Sequence, residues 1–387
     1  MDATLGLGKP INRGLVIHAS PINGYVNRPR FLPIEQPASN DQSIDRKSPR
    51  LTVRGRLFTL SFMPDPSVPH GNHRTPLASH EPLAADGVGE TRILKWKDGK
   101  RAAFMVEFDD SAPTHLDVAI PALKKHGIPG TFYINPGNDP YKSRQADWES
   151  EAASPLIELS NHTFSHIGAP SVAEFDREIA EANDVIDRLY PHRPAFRLRD
   201  WARPGVPRDQ WKISEAEIQG VLAKYHMIER PPFFGPPFSI KTKAKMLDWV
   251  DGAIAAGEMR HLAFHGVDGD WHSAPLDYFI GLLEKLNACA DKLWLTDPLS
   301  FHKYDTERRT AKVSMIAATD ASIRLSLTTD SDPNYYDLPL TLITCVPPAW
   351  KHVTISQSAT SQAKPVKNGE VQFDATPGAG EILITLS

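Results

Sequence analysis

With 387 residues, 41% hydrophobic side chains and 34 prolines, the chain has ample material for a core, and its prolines mark many loops rather than disorder. The formal net charge of -4, with basic residues scattered instead of striped, gives no footprint for nucleic acid and favours a neutral or weakly charged substrate. Cys289 and Cys345 are too far apart for a disulfide framework or thiolate metal site and are expected to be buried bystanders, and no apolar run approaches the roughly 18 residues of a membrane span.

Residues 1–90 are rich in Pro, Asn, His and Gly and read as an irregular extension packed on the main domain, with one strand-like stretch, LTVRGRLFTLSF (Leu51–Phe62). The opening MDATLGLGKPINRG lacks the charged-then-apolar pattern of a signal peptide. Location is therefore open, a secreted or periplasmic one with the signal peptide absent from this chain being one expectation.

From Ala102 short apolar runs alternate with amphipathic segments, the signature of repeated βα units. AAFMVEF (Ala102–Phe108) reads as the first strand. Thr114 is placed to cap a helix running to Lys125, His126-Gly127 ends it, and TFYIN is the second strand. PLIELSN (Pro155–Asn161) follows. Ser171 with Glu174 predicts a capping box for a helix whose apolar face is Val172, Phe175, Ile179, Ala182, Ile186 and Leu189. AFRL (Ala195–Leu198), YHMIER (Tyr225–Arg230), HLAFH (His261–His265) and LWLTD (Leu293–Asp297) bring the strands to seven. Over 91–310 this predicts a closed or nearly closed α/β barrel with its chemistry at the C-terminal strand ends, the alternative being an open doubly wound sheet. Residues 311–387 switch to the two-residue period of strands and predict a small antiparallel β domain that packs or presents substrate without taking part in bond cleavage.

Two elements carry chemistry. Asp109 and Asp110 follow the first strand in FDDS; neighbouring side chains point in different directions, so one can bind a metal while the other stays free as a base. HTFSH (His162–His166) follows the strand ending at Asn161, and its imidazoles can converge on one cation if the loop is helical there. Together with one Asp they make two His and one carboxylate, a facial set that leaves positions open for water and substrate.

VEFDDS, ELSNHTFSH, WARPGVP and HLAFHG, in that order on successive strands, resemble the polysaccharide deacetylases of the NodB-like carbohydrate esterase family (carbohydrate esterase family 4), from about Trp96 to Leu299. The resemblance implies a distorted (β/α)7 barrel. It implies Asp109 as general base and Asp110, His162 and His166 as ligands of one divalent metal ion, Zn2+ first, with Co2+ and Mn2+ as the other candidates. A metal so held lowers the pKa of water from about 15.7 toward 7 and polarises the acetyl carbonyl. His265 matches the family's late histidine, which protonates the leaving group. Arg203 is assigned as the arginine that orients the base, because a guanidinium grips a carboxylate with two donors. The family's usual Arg-Pro-Pro-aromatic-Gly also occurs as RPPFFG, so Arg230 is a rival, and Arg197 is a third candidate. The acidic residue and Trp that would orient the acid histidine are Asp248 with Trp249, or Glu229. Trp271, Phe233, Phe234 and Phe238 are candidates for a sugar-stacking wall, with Pro204 in the WARPG loop added to the expected substrate contacts.

The expected partner is an acetylated carbohydrate, N-acetylated like chitin or peptidoglycan or O-acetylated like xylan, with no nucleic acid and no membrane; oligomeric state is left open. The competing readings are an allantoinase-like cyclic-amide hydrolase on the same barrel and a non-catalytic carbohydrate-binding barrel, the second of which would be expected to have lost the base or a ligand.

Overall fold

The computed structural model describes residues 87–194 and 196–387, so the expectations for residues 1–86, Leu51–Phe62 among them, and for Ala195 lie outside the described residues. A short edge strand, β1 (Thr91–Ile93), comes first, and β2 (Ala102–Asp109) is buried along its whole length. Side chains alternate along a strand, so Phe104, Val106 and Phe108 enter the main hydrophobic cluster while Met105, Glu107 and Asp109 share the opposite face.

The chain then alternates through α1 (Ile120–His126), β3 (Gly130–Ile134), α2 (Asp139–Lys142), α3 (Gln145–Glu151), β4 (Ile157–Asn161), α4 (Val172–Leu189), β5 (Arg199–Trp201) and α5 (Glu215–Lys224). It continues through β6 (Met227–Glu229), α6 (Lys243–Ala256), β7 (Met259–Phe264), α7 (Leu276–Ala288), β8 (Leu293–Leu295) and α8 (Pro298–Thr310). Strands β2 to β8 form one seven-stranded parallel sheet in the order β6-β5-β4-β3-β2-β7, with β8 also on β2. This is the distorted βα barrel that the alternation predicted. Its helix-facing side carries Phe108 stacked on Phe132 at 4.4 Å, with Phe264 and Phe279 beside them. The two ends of the sheet meet where the Ala263 N–H donates to the Phe234 carbonyl at 3.0 Å. A Cβ on Gly235 would lie 1.8 Å from the Ala263 carbonyl oxygen, so that approach requires glycine.

Local details differ from expectation. The fourth strand begins at Arg199, not within AFRL: Phe196 is 72% exposed, Arg197 pairs with Asp187 of α4, and ladder bonding starts with Arg199 N–H to His226 O at 3.0 Å. Thr114 does not cap a helix with its side chain; one π-turn, His115–Ala119, precedes α1, and the Thr114 hydroxyl instead accepts from Val267 N–H at 3.1 Å. Ser171 does cap α4, accepting from Glu174 N–H at 3.2 Å, and Gly127 ends α1 at φ 66°.

After α8 come β9 (Lys312–Ala318), β10 (Ser322–Thr328), β11 (Leu340–Cys345), β12 (His352–Gln357), β13 (Thr360–Pro365), β14 (Glu370–Ala375) and β15 (Ile382–Leu386). They form two antiparallel sheets, β1-β11-β14 and β13-β12-β15-β10-β9. Thr91–Ile93 therefore pair with β11 and not with the barrel sheet. The sandwich interior, with Leu325, Leu342, Phe373 and Ile384, belongs to the same hydrophobic cluster as Ala103, Trp294 and Tyr304 of the barrel. That contact lies at the N-terminal end of β2, and the six residue steps from Ala103 to Asp109 at ~3.3 Å each set it about 20 Å from Asp109 at the other end.

Ending the chain at Arg309 should strip one side of this shared cluster and leave an insoluble or molten product without a cooperative melt. A folded barrel from residues 87–309, judged by near-ultraviolet circular dichroism and a sharp thermal transition, would show that the two parts do not depend on each other.

Candidate active site

Asp109 and Asp110 end β2 at the C-terminal rim of the barrel, and the backbone turns left-handed there, with φ of 76° at Asp110 and 53° at Ser111. This turn sends consecutive carboxylates to different partners. Asp109 is buried and its Oδ2 meets the Arg230 guanidinium; Asp110 turns toward the loop after β4.

That loop, His162–His166, is not helical. Thr163 and His166 sit at φ 64° and 60°, and these two left-handed residues bring the imidazoles together at a ring separation of 5.0 Å. Side chains fix the loop: Asn161 Oδ1 accepts from Thr163 N–H at 2.7 Å, the Glu178 carboxylate accepts from Ser165 at 2.6 and 2.7 Å, and Asn135 donates to the His162 and Thr163 carbonyls. Strain of this kind persists where surrounding bonds over-determine it.

Asp110 Oδ1 lies 3.2 Å from His162 Nε2 and 3.1 Å from His166 Nε2. His162 Nδ1 is 2.8 Å from the Ala202 carbonyl, to which it donates, so the neutral ring points the Nε2 lone pair at Asp110. Asp110 Oδ1 is itself buried with no hydrogen-bond partner among the described residues. Lone pairs facing one another at this distance call for a cation between them. With bonds of ~2.1 Å, ligand atoms at right angles about a cation sit ~3 Å apart, which the observed separations match. The residues thus fit a divalent metal, and the Ala202 carbonyl behind His162 is the kind of outer partner that fixes a ligating imidazole.

His265 follows β7 on the same rim, with Nε2 3.7 Å from Asp110 Oδ2. Its ring stacks on Phe233 at 4.6 Å, burial depresses its pKa, and its Nδ1 has no hydrogen-bond partner among the described residues. The structure brings none of Asp248, Trp249 and Glu229 to His265: Trp249 donates to the His261 carbonyl and stacks on Phe234, while Glu229 pairs with Arg203. What touches His265 from below is His115, whose Nε2 meets the His265 carbonyl at 2.6 Å and whose own pKa burial lowers to about 4.

Arg230, not Arg203, lies against Asp109. Arg203 spans Glu229 and Glu215, both at 2.8 Å, on the outside of the rim, and Arg197 pairs with Asp187. Arg230 is buried inside the barrel and bridges Asp109 to Glu107, the latter at 2.8 Å, while His261 Nδ1 meets the same Glu107 oxygen at 2.9 Å. Asp109 and Glu107 keep Arg230 charged despite burial. Sequence reasoning missed Glu107 and His261, although a lone Glu inside the apolar run AAFMVEF was a visible signal.

Of the expected substrate contacts, Trp271 is 36% exposed and donates its indole N–H to Asp110 Oδ2 at 2.9 Å, and Phe238, 52% exposed, lies beside His265 and His272. Phe233 covers His265, whereas Phe234 packs under Trp249 away from the rim. Pro204 is buried in the loop beside Arg203, its carbonyl accepting from Val206 N–H at 3.0 Å.

The family model for polysaccharide deacetylases matches residues 97–205, so that segment of the chain is similar to this family. The matched segment contains Asp109, Asp110, His162 and His166 and ends before Arg230 and His265. Among solved structures the chain is similar to a mutant CE4 family pseudoenzyme with restored enzymatic activity (16% identity, 50% of this chain and 65% of that chain, TM-score 0.37). It is also similar to the peptidoglycan deacetylase PdaC from Bacillus subtilis (20% identity, 52% and 90%, TM-score 0.38). A third is a family 4 carbohydrate esterase from Streptomyces lividans in complex with acetate (15% identity, 52% and 95%, TM-score 0.34). The chain thus spans just under two thirds of the first of these. No curated protein matches it. Among the described residues no helix is long and apolar enough to cross a membrane.

Below the site, Tyr133 OH donates to Asp200 at 2.8 Å and Ser160 bonds the other Asp200 oxygen. Burial raises the Asp200 carboxyl from 3.8 to about 7 against these two bonds. A carboxyl raised on folding keeps its proton while the unfolded chain has lost it, so its presence lowers stability progressively from about pH 4 to pH 7. Asp200→Asn should therefore melt higher than the parent at pH 8 and lose that advantage at pH 4. Parallel melting curves over this range would refute the assignment.

Proposed function

We propose that the chain is a divalent-metal-dependent hydrolase that removes acetyl groups, N- or O-linked, from a carbohydrate. The observation that carries this reading is the convergence of Asp110, His162 and His166, whose ligand atoms all lie within 4.8 Å of one another, beside a second carboxylate held apart from them by Arg230. Carboxylates that are adjacent in sequence but differently held support different roles for the two.

A divalent ion bound by Asp110, His162 and His166 supplies Lewis acidity to the acetyl carbonyl and to the attacking water. Asp109 is the base: Arg230 occupies its Oδ2, and its buried Oδ1, without a partner among the described residues, is free to accept the water proton. Water oxygen bonds to the acetyl carbonyl carbon as one water proton passes to Asp109, and the bond from that carbon to the sugar oxygen or nitrogen breaks. His265 gives its proton to the departing sugar atom, so a free hydroxyl or amine and acetic acid leave, the acid ionising to acetate; Asp109 releases its proton to solvent and His265 takes one back. Trp271, Phe233 and Phe238 line the approach with aromatic surface suited to the apolar face of a sugar ring. Pro204 and Arg203 are left out of the mechanism.

Metal-stripped and metal-restored protein, assayed for acetate release from acetylated chitin oligomers, peptidoglycan and acetylated xylan, tests the reading and selects among Zn2+, Co2+ and Mn2+. Metal analysis should find about one ion per chain. Asp109→Asn should retain it while turnover drops on the order of 100 to 10,000-fold, and His162→Ala should lose ion and turnover together. Full metal binding with no acetate released from any polymer would instead mark a carbohydrate-binding barrel.

His265→Ala should reduce deacetylation of the sugar far more than cleavage of nitrophenyl acetate, with metal content unchanged, because an activated phenolate departs without a proton and an amine does not. Equal losses on both substrates would return His265 to a structural role.

A further inference from the structure

Glu107 and Asp109 stand two residues apart on β2 and so share its inward face, and both meet one guanidinium, that of Arg230. Arg230 Nη1 donates to Glu107 Oε2 at 2.8 Å and Nη2 donates to Asp109 Oδ2. His261, two residues into β7 and opposite Met105 in the β2–β7 ladder, holds the same Glu107 oxygen from the other side through Nδ1 at 2.9 Å. Glu107 is fully buried, and its Oε1 has no hydrogen-bond partner among the described residues. A buried carboxylate left half satisfied weighs against stability, and an apolar residue would continue the strand AAFMV without that cost.

We propose that Glu107, braced by His261, is a positioning residue for the hydrolysis: it fixes the plane of the Arg230 guanidinium so that only one of its edges is given to Asp109, leaving Asp109 Oδ1 aimed and free. This rests on the deacetylase reading above. Without Glu107 the guanidinium has one carboxylate partner in the barrel interior and both of its edges are available to Asp109. It then swings to a two-point grip that covers the oxygen needed for the water proton. His261 acts one step further out, by keeping the Glu107 carboxylate from following the guanidinium.

The test uses the full chain with Glu107→Leu, Glu107→Gln and His261→Ala, with Asp200→Asn as a control in the same interior that makes no bond to Arg230. Kinetics on the acetylated sugar should show kcat lower by ten-fold or more in Glu107→Leu with KM within about two-fold and metal stoichiometry unchanged. Glu107→Gln, which keeps an acceptor for Arg230, should recover part of the loss, and His261→Ala should lose less than Glu107→Leu. A crystal structure of Glu107→Leu should show Arg230 bound to both oxygens of Asp109. If wild-type protein is inactive on every substrate, the deacetylase reading fails, and the crystal structure alone then decides the geometry. Arg230 unmoved in Glu107→Leu overturns the proposal, as does a kcat loss that Asp200→Asn reproduces or that Glu107→Gln does not relieve.

Discussion

A single arginine reaching across the barrel interior is the contact on which the site depends. Arg230 follows β6, at one end of the sheet path, and its partners Glu107 and Asp109 lie on β2, four strand spacings away. In a flat sheet those strands would be ~19 Å apart at ~4.8 Å per spacing, so an ion pair at 2.8 Å exists only because the sheet is curled. The closure at Gly235, where loop and β7 touch backbone to backbone, holds that curl from the other side. Curvature and the geometry of the site are therefore one constraint: whatever opens the barrel between β6 and β7 also removes Arg230 from Asp109.

The rim shows the same economy of means. Among the described residues, seven of the eleven non-glycine residues with positive φ lie in three short stretches around the cluster: Asp110 and Ser111, Thr163 and His166, and Asp268, Asp270 and His272. Left-handed backbone lets a chain leaving a strand turn at once, which is how two consecutive aspartates reach different partners and how two histidines meet without a helix. Each turn is tied down by side chains, Asn161 and Glu178 for the histidine loop and Thr114 with Asp270 for the loop after β7. The Asn161 bond spans two residues, whereas those of Glu178 and Asp270 are local in structure but distant in sequence.

That distinction explains what was legible beforehand. Strand positions follow from runs such as AAFMVEF and HLAFH because burial on one or both faces writes itself into neighbouring residues, and the convergence of Asp110 with His162 and His166 was legible because strand ends in a parallel barrel converge on one rim. Arg203 against Arg230 was not legible. Both are arginines following strands, and the choice depends on which strand curls back to face β2, a property of the whole sheet. The helical geometry expected for HTFSH failed for the opposite reason: spacing of four suits a helix, yet the contacts from Asn135, Asn161 and Glu178 favour left-handed turns. The search for an acid beside His265 stayed within motifs of Asp, Glu and Trp, whereas the structure surrounds that ring with Phe233, Phe238 and His272.

The loop after β7 joins the two halves of the chemistry. Trp271 gives its indole N–H to Asp110 Oδ2, the oxygen that does not face the histidines, and so turns Oδ1 toward them. The same ring is partly exposed, and the Asp110 Oδ2 that it holds lies 3.7 Å from His265 Nε2. Asp270, its neighbour, accepts from Thr114 N–H at 2.7 Å, which ties the loop to the segment just after the paired aspartates. Under the proposed function, a sugar ring seated on Trp271 would press on a side chain already bonded to Asp110. Through that bond the position of Trp271 and the orientation of Asp110 are coupled, whereas the sandwich joins the far end of β2 through Ala103 and Trp294.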